Sequence, residues 1–346
     1  MIDNSILKDK AKSLPENPGV YLMKDSLQNI IYVGKAKNLK NRVRSYFYNL
    51  SQRSSKIEKL LLNIRDFEFY VTDTELDALL LECKLIRDLK PPYNTLLKNP
   101  NVYSYIKIDY SREFPTLEAT LEKEDKNSIY FGPYNSFNAT TNLINIIKDI
   151  YPIIRCEKSY LNKRICLNYA INPCKSICDK CLSPEEYKTN IEEVQSILKG
   201  DTGPILMKLN KSMGKAAEDL NFEEASKIRD NIKLIYHIKS INEVIEESLK
   251  NKLLIAVQDI DDSTSKVFII KGNKLIFDKK IDKESINEGK LRKYALEQIE
   301  KKDVLKEELK EICKEDLDEQ HIIYSYIKNK KNNMHYIEIC LDEGKE

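Results

Sequence analysis

The chain has 346 residues, enough for two or three domains, and 32% of them are charged while only 9 are glycine, which excludes a low-complexity or collagen-like protein. Its net charge of +2 hides an asymmetry: residues 1–100 carry 17 Lys and Arg against 12 Asp and Glu, whereas residues 201–346 carry 27 against 30. No apolar run approaches the roughly 18 residues that a membrane span needs, and the first residues contain no apolar signal segment. Eight cysteines without such a segment predict reduced thiols in a cytoplasm rather than a disulfide framework.

In chain order, two apolar runs at 19–23 and 30–33 flank the five residues Asp25–Asn29 and predict a β-hairpin. Asn38 then caps a helix in which Leu39, Val43 and Phe47 recur at i, i+4 and i+8. Lys35 and Arg42 project from the hairpin end and this helix, beside the strand tyrosines Tyr21 and Tyr32. Between Tyr32 and Ile57 lie seven Lys or Arg and no acid, interleaved with Tyr46, Phe47 and Tyr48. Cations answer phosphates and aromatic faces answer bases or sugars, so Lys37, Lys40, Arg44, Arg53 and Lys56 are candidate nucleic-acid contacts.

A helix from about Thr74 to Lys90 is ended by Pro91-Pro92. Its Glu82 has Ala78, Leu79, Leu85 and Ile86 as helical neighbours, so a carboxylate stands inside an apolar stripe. Ionisation there is costly unless a cation or donor compensates. Pairing with Lys84 or Arg87 is one solution; ligation of a hard divalent ion, Mg²⁺ or Mn²⁺, is the other.

Residues 101–155 add a strand (YSYIKID), a turn (IYFGPYNS) and a helix with Leu143, Ile146, Ile147 and Ile150 on one face. Cys156, Cys166, Cys174 and Cys178 follow within 23 residues, with Cys181 as an alternative to the last. Such density in a reduced chain predicts a metal site, and the spacing leaves zinc and an iron–sulfur cluster both open. Two amphipathic helices come next, about 204–219 and 222–247, with Pro204 starting the first and Asn221 and Glu224 capping the second. Their stripes are Leu206, Leu209, Met213, Ala217 and Leu220, then Ala225, Ile228, Ile232 and Ile235. Two helices alone bury too little to stand by themselves, so a partner, self-pairing or packing within the chain is implied. The remainder opens with three strands (LLIAVQD, KVFIIKG, KLIFDKKI) and becomes charged and helical from about Asn287. Asp259, Asp261 and Asp262 at a strand end read as solvated turn acids.

The triplets Gly19-Val20-Tyr21 and Tyr32-Val33-Gly34, the basic RVRSYF helix and the LLLECKLIRDLKPPYN helix resemble the GIY-YIG nuclease domain as it occurs in the UvrC family. Both triplets carry Val where the family's name has Ile, a volume-conserving change on a buried strand face. YFGPY, the cysteines and the helical hairpin are similar to UvrC in the same order, so the resemblance covers about 14–250. It implies a metal-dependent endonuclease of nucleotide-excision repair acting on damaged double-stranded DNA. In that reading Glu82 holds the metal, Tyr32 is the general base helped by Lys35, and Arg42 clamps the phosphate. Asn94 matches the active-site asparagine, and Tyr21 and Tyr46 orient water or phosphate. The resemblance favours a [4Fe–4S] cluster over Zn²⁺, and it implies that UvrB docks through Leu209, Met213, Leu220, Phe222, Ala225, Ile228 and Ile232.

The expected architecture is a multidomain α/β (α+β) chain. A nuclease domain occupies 14–98, a linker and Cys-cluster region 99–200 with the cluster at 156–178, a helical hairpin 204–240, and a degenerate ribonuclease-H-like domain 250–346. With no second nuclease domain in this sequence, a single cut 3′ of a lesion is expected. The alternatives are a non-catalytic DNA- and UvrB-binding module or a fragment of a longer two-nuclease protein.

Overall fold

In the computed structural model, which describes residues 4–48, 55–95, 97–98, 103–155, 182–301, 311–332 and 334–339, the first two apolar runs form strands β1 (Gly19–Lys24) and β2 (Ile30–Ala36). They pair antiparallel with Tyr21 opposite Gly34 and Met23 opposite Tyr32. Asp25 holds the turn between them by accepting the amides of Leu27 and Asn29, each at 2.9 Å. β3 (Asp66–Val71) joins the far side of β1, giving the order β2-β1-β3. Side chains alternate across a strand, so β1 uses both faces. Tyr21 and Met23 pack with α1 (Asn4–Lys12), α2 (Leu39–Tyr48) and α3 (Ser55–Asn63), while Val20 and Leu22 pack on α4 (Glu75–Leu89). Asn38 caps α2, accepting the Asn41 amide at 2.8 Å. Thr74 and Asp77 form a reciprocal capping box on α4, and Lys90 ends that helix in the left-handed conformation before the two prolines.

The chain divides into two units, one formed by 1–100 with 247–346 and the other by 101–246. In the second, β4 (Ser104–Asp109), β5 (Thr116–Thr120) and β6 (Ser128–Tyr134) form a sheet of order β5-β4-β6. α5 (Phe137–Ile150) buries Leu143, Ile146 and Ile147, the face its periodicity predicts. α6 (Pro184–Leu198) precedes a helical hairpin of α7 (Gly203–Glu218) and α8 (Phe222–Leu249). Asn221 caps α8, accepting the Glu224 amide at 3.2 Å. Tyr134 donates its hydroxyl to Asn242 Oδ1 at 3.2 Å, and Asn242 Nδ2 donates to the Leu198 carbonyl at 3.0 Å, so one buried amide ties β6, α8 and the end of α6. Cys156, Cys166, Cys174, Cys178 and Cys181 lie outside the described residues, as does Arg53. No described helix is long and apolar enough to cross a membrane.

The C-terminal strands β7 (Leu253–Asp259), β8 (Thr264–Lys271), β9 (Lys274–Asp282) and β10 (Met334–Ile339) form an antiparallel sheet of order β10-β7-β8-β9. Asp261 is spent on the β7–β8 turn, accepting the amides of Ser263 at 2.9 Å and Thr264 at 2.8 Å. One face of the sheet takes α9 (Glu288–Lys301), through Leu291, Ala295 and Ile299. The other carries Ala256, Phe268 and Ile270, which form a core with Ile323 and Tyr326 of α10 (Leu317–Lys328) and with Leu76 of α4. α4 therefore has two apolar faces in two different cores.

Cys83 of α4 is buried, and its thiol is pushed up to about 12, first by burial and next by Asp318 of α10. At pH 8 about one molecule in 10⁴ then carries the reactive thiolate. Timed iodoacetamide labelling of the native chain, read by mass spectrometry, should modify Cys83 at least about a hundredfold more slowly than the exposed Cys313. Equal rates would contradict the burial of α4 on this side.

Candidate active site

The site begins with a glycine that makes room for a tyrosine. Gly34 faces Tyr21 across the hairpin, and a Cβ on Gly34 would fall 2.4 Å from the Tyr21 hydroxyl and 2.9 Å from the Tyr32 ring. Bare backbone thus lets the Tyr21 ring lie over β2. Its hydroxyl sits 2.9 Å from that of Tyr46, and its ring centroid is 6.2 Å from Tyr32 and 5.9 Å from Tyr46. Arg42, one helical turn before Tyr46, donates from Nη2 to the Tyr46 hydroxyl at 3.4 Å and lies over that ring at 5.2 Å.

The second component comes from the edge of the sheet. β2 is an edge strand, so the backbone groups of Ile31, Val33 and Lys35 point away from β1 and need partners. The Ile31 carbonyl accepts the Tyr93 amide at 3.0 Å. Val33 is held twice by Asn94, whose Oδ1 accepts its amide and whose Nδ2 donates to its carbonyl, both at 2.9 Å. The Lys35 amide donates to Glu82 Oε1 at 2.8 Å. The donor that the sequence demands for a carboxylate in an apolar stripe is therefore a strand backbone. Burial pushes the Glu82 carboxyl up from its ordinary range, and the Lys35 amide and the charges of Lys35 and Arg42 oppose that shift.

Tyr21, Tyr32, Lys35, Lys37, Asn41, Arg42, Ser45 and Glu82 line one open cavity of about 610 Å³. Asn94, expected as a catalytic residue, holds β2 between Tyr32 and Gly34 through the amide and carbonyl of Val33. Lys35, expected to help Tyr32 lose its proton, sends its ammonium to Glu75 Oε1 at 2.7 Å instead. The Tyr32 phenol is accordingly raised, first by burial and then by Tyr46, with Arg42 pulling the other way. Glu75 is a residue the sequence reading misses, although it lies seven positions before Glu82, two turns along the same helix face.

The basic candidates are used unevenly. Lys37 is exposed at the cavity, Lys40 pairs with Glu16 at 3.1 Å, and Arg44 lies over the exposed Tyr48 ring at 5.4 Å. Lys56 reaches Thr95 Oγ1 at 3.4 Å. Among the described residues no group of three or more His, Cys, Asp or Glu is placed to hold a metal, and Glu82 is the only carboxylate among the cavity's lining residues. A single hard oxygen donor beside an open cavity suits Mg²⁺, which keeps most of its waters, and does not suit zinc, which takes three or four protein ligands.

A GxY strand facing a YxG strand, with a helical glutamate bound to the second strand's edge, is the arrangement of a GIY-YIG domain. Residues 17–95 match the family model of the UvrC-like GIY-YIG domain, 103–197 that of the UvrC/Cho excinuclease middle domain, and 206–238 that of the UvrB/uvrC motif. The chain belongs to the UvrC family. It is 37% identical over 341 residues to UvrABC system protein C of Acetivibrio thermocellus, covering 96% of this chain and 54% of that protein. With the same protein of Caldanaerobacter subterraneus subsp. tengcongensis it shares 42% identity over 274 residues, 78% of this chain and 44% of that one. The chain thus spans about half the length of the curated relatives it matches. Among solved structures, the magnesium-bound GIY-YIG N-terminal endonuclease domain of UvrC from Thermotoga maritima is 36% identical, over 28% of this chain and 100% of that one, with a TM-score of 0.25.

Asn94→Ala orphans the amide and the carbonyl of a fully buried Val33. The expected cost is about 2–6 kcal/mol, since each of the two unmade buried hydrogen bonds costs about 1–3 kcal/mol. It should appear as a lower urea midpoint with little change in slope, and an unchanged midpoint would show that the clamp is dispensable.

Proposed function

We propose that this chain is a divalent-metal-dependent DNA endonuclease of nucleotide-excision repair. The observation that carries the reading is the Glu82 carboxylate, oriented by the Lys35 amide, beside a cavity shared with Tyr21, Tyr32 and Arg42. Glu82 would hold Mg²⁺, with Mn²⁺ as a substitute. When bound, the ion supplies positive charge to the scissile phosphate and makes water at the site more acidic. Arg42 spans two phosphate oxygens and follows the charge that builds in the transition state. Tyr32 receives the proton of the attacking water as a phenolate, its own proton having first passed to solvent; burial opposes that ionisation, so it needs positive charge beside it, and Arg42 supplies part of that. The paired hydroxyls of Tyr21 and Tyr46 orient water or phosphate, and Lys37 and Arg44 meet the DNA backbone.

The finer parts of the reading are that the cut falls 3′ of the lesion and that UvrB recruits the chain through α7 and α8. Leu209 and Ile228 are already buried within the chain, so they are withdrawn from the expected docking surface. Leu220 and Phe222 at the hairpin tip are 73% and 67% exposed and remain as its anchors, with Met213, Ala225 and Ile232 half-buried behind them. Cys156, Cys166, Cys174 and Cys178 supply four thiolates suited to a [4Fe–4S] cluster, with zinc as the alternative. Iron and zinc analysis of an anaerobic preparation separates the two.

Incubation with UvrB-loaded, end-labelled duplex bearing a lesion should yield one Mg²⁺-dependent cut on the 3′ side. Glu82→Gln should abolish it while DNA affinity stays within a few fold, because the metal serves the transition state more than the ground state. Cutting that persists in EDTA, or in Glu82→Gln, would end the one-metal reading. DNA and UvrB binding without cutting by the unaltered chain would leave a non-catalytic module.

Leu220→Asp with Phe222→Ala should weaken UvrB capture by about tenfold or more, the effect of removing central anchors. Unaltered capture would mean that the hairpin only packs within the chain.

A further inference from the structure

The helix that presents Glu82 is held from both sides. Toward the hairpin it packs Ala78 and Ile86 on Val20, Leu22 and Val33. On its other side Leu76, with Leu79 and Leu80 beside it, enters the core of the C-terminal sheet and α10. A charged contact accompanies the apolar one. Lys266 of β8 is buried, its side chain 8% exposed, and its ammonium lies 2.9 Å from Asp77, 3.1 Å from Asp73 and 2.9 Å from Asp278. Asp77 lies in the first turn of α4, Asp73 just before its cap, and Asp278 in β9.

Asp77 joins this contact to the geometry of the helix. The same carboxylate oxygen that meets Lys266 accepts the Thr74 amide and hydroxyl, each at 3.0 Å, and so forms the cap of α4. Glu75, in the same turn, holds the Lys35 ammonium, and Glu82 holds the Lys35 amide. A helix rises about 1.5 Å per residue, so Glu82 stands only about 7.5 Å along the axis from the anchored turn. A shift of that turn is carried to Glu82 by the intervening hydrogen-bonded backbone.

We propose that the C-terminal α/β domain is a positioning element for the nuclease site, and that Lys266 is its anchoring residue: gripping Asp73 and Asp77, it fixes α4 and hence the place of the Glu82 carboxylate at the cavity. The proposal rests on the reading of Glu82 as the metal ligand. Lys266 is not among the residues lining the cavity and meets α4 through Asp77, so it acts through the helix. Without it three carboxylates face one another with no common cation, and the first turn of α4 loses its outer hold.

The test uses the full chain with Lys266→Met, which keeps the length and removes the charge. Mn²⁺ binding, followed by electron paramagnetic resonance, should weaken about tenfold, the size of effect expected when a ligand's supporting partner is lost. Amide exchange across 75–89 should quicken, and half-maximal cutting should require correspondingly more metal, with DNA affinity unchanged. Lys266→Arg should restore most of the Mn²⁺ affinity. A role in stability alone would lower the urea midpoint but leave the Mn²⁺ affinity of folded molecules intact, and that result overturns the proposal. If Lys266→Met does not fold, Asp73→Asn, which removes one of the two carboxylates that Lys266 holds on the α4 side, gives the same readouts. Mn²⁺ binding that survives Glu82→Gln in the otherwise unaltered chain would sink the metal-site reading instead, and the exchange rates in 75–89 would then decide the anchoring role alone.

Discussion

A tyrosine that needs the space of a missing side chain organises this molecule. The Tyr21 ring lies where a Cβ on Gly34 would have to be, so strand register, ring position and hydroxyl network are a single choice. A one-residue slip would move every side chain to the opposite face of the sheet. It would also set a different residue against Tyr21 and expose Val20 and Val33, which are fully buried on the α4 side. The two halves of the signature are thus one structural statement: glycine on one strand is the complement of tyrosine on the other.

The outward edge of β2 explains why residues so far apart in sequence belong together. An edge strand leaves alternate backbone groups unpaired, a liability that proteins cover in some way. Here the covers are side chains: the Asn94 amide imitates a neighbouring strand at Val33, and the Glu82 carboxylate takes the next outward amide at Lys35. Closing the edge and presenting a carboxylate to the cavity are the same act. Charge at the site is partitioned in a similar way. The Lys35 ammonium is paired with Glu75, while Arg42 and Lys37 also line the cavity.

What was legible in the sequence was local. The hairpin, the caps at Asn38 and Asn221, the apolar faces of α2 and α5 and the anomalous Glu82 all follow from periods of two or 3.6 and from residues a few positions apart. The capping box of Ser183 and Glu186 with Pro184, which starts α6, is equally local. The Asn94 clamp joins residues 61 apart, and no sequence pattern at that range announces it. The destination of Lys35 was ambiguous because a lysine stem reaches several partners. Least visible was the union of the first hundred residues with the last hundred. Its signs are a helix apolar on two faces and a lysine among the buried residues of a strand, and each has a simpler reading when met alone.

The double-faced α4 has a further consequence, for the order in which the chain is made. Its last residue is Leu89, whereas the strand that begins its second core starts at Leu253. At about 5–20 residues per second, synthesis separates the two by on the order of 10–30 s. During that interval Leu76, Leu79 and Leu80 belong to a finished helix whose covering sheet does not yet exist. The amino-terminal domain therefore passes through a stage in which an apolar strip is on offer to whatever the cell supplies, a chaperone or a neighbouring nascent chain. Exposure ends only when β8 arrives, and Asp73 and Asp77 mark beforehand, in charge, the place where Lys266 will seat.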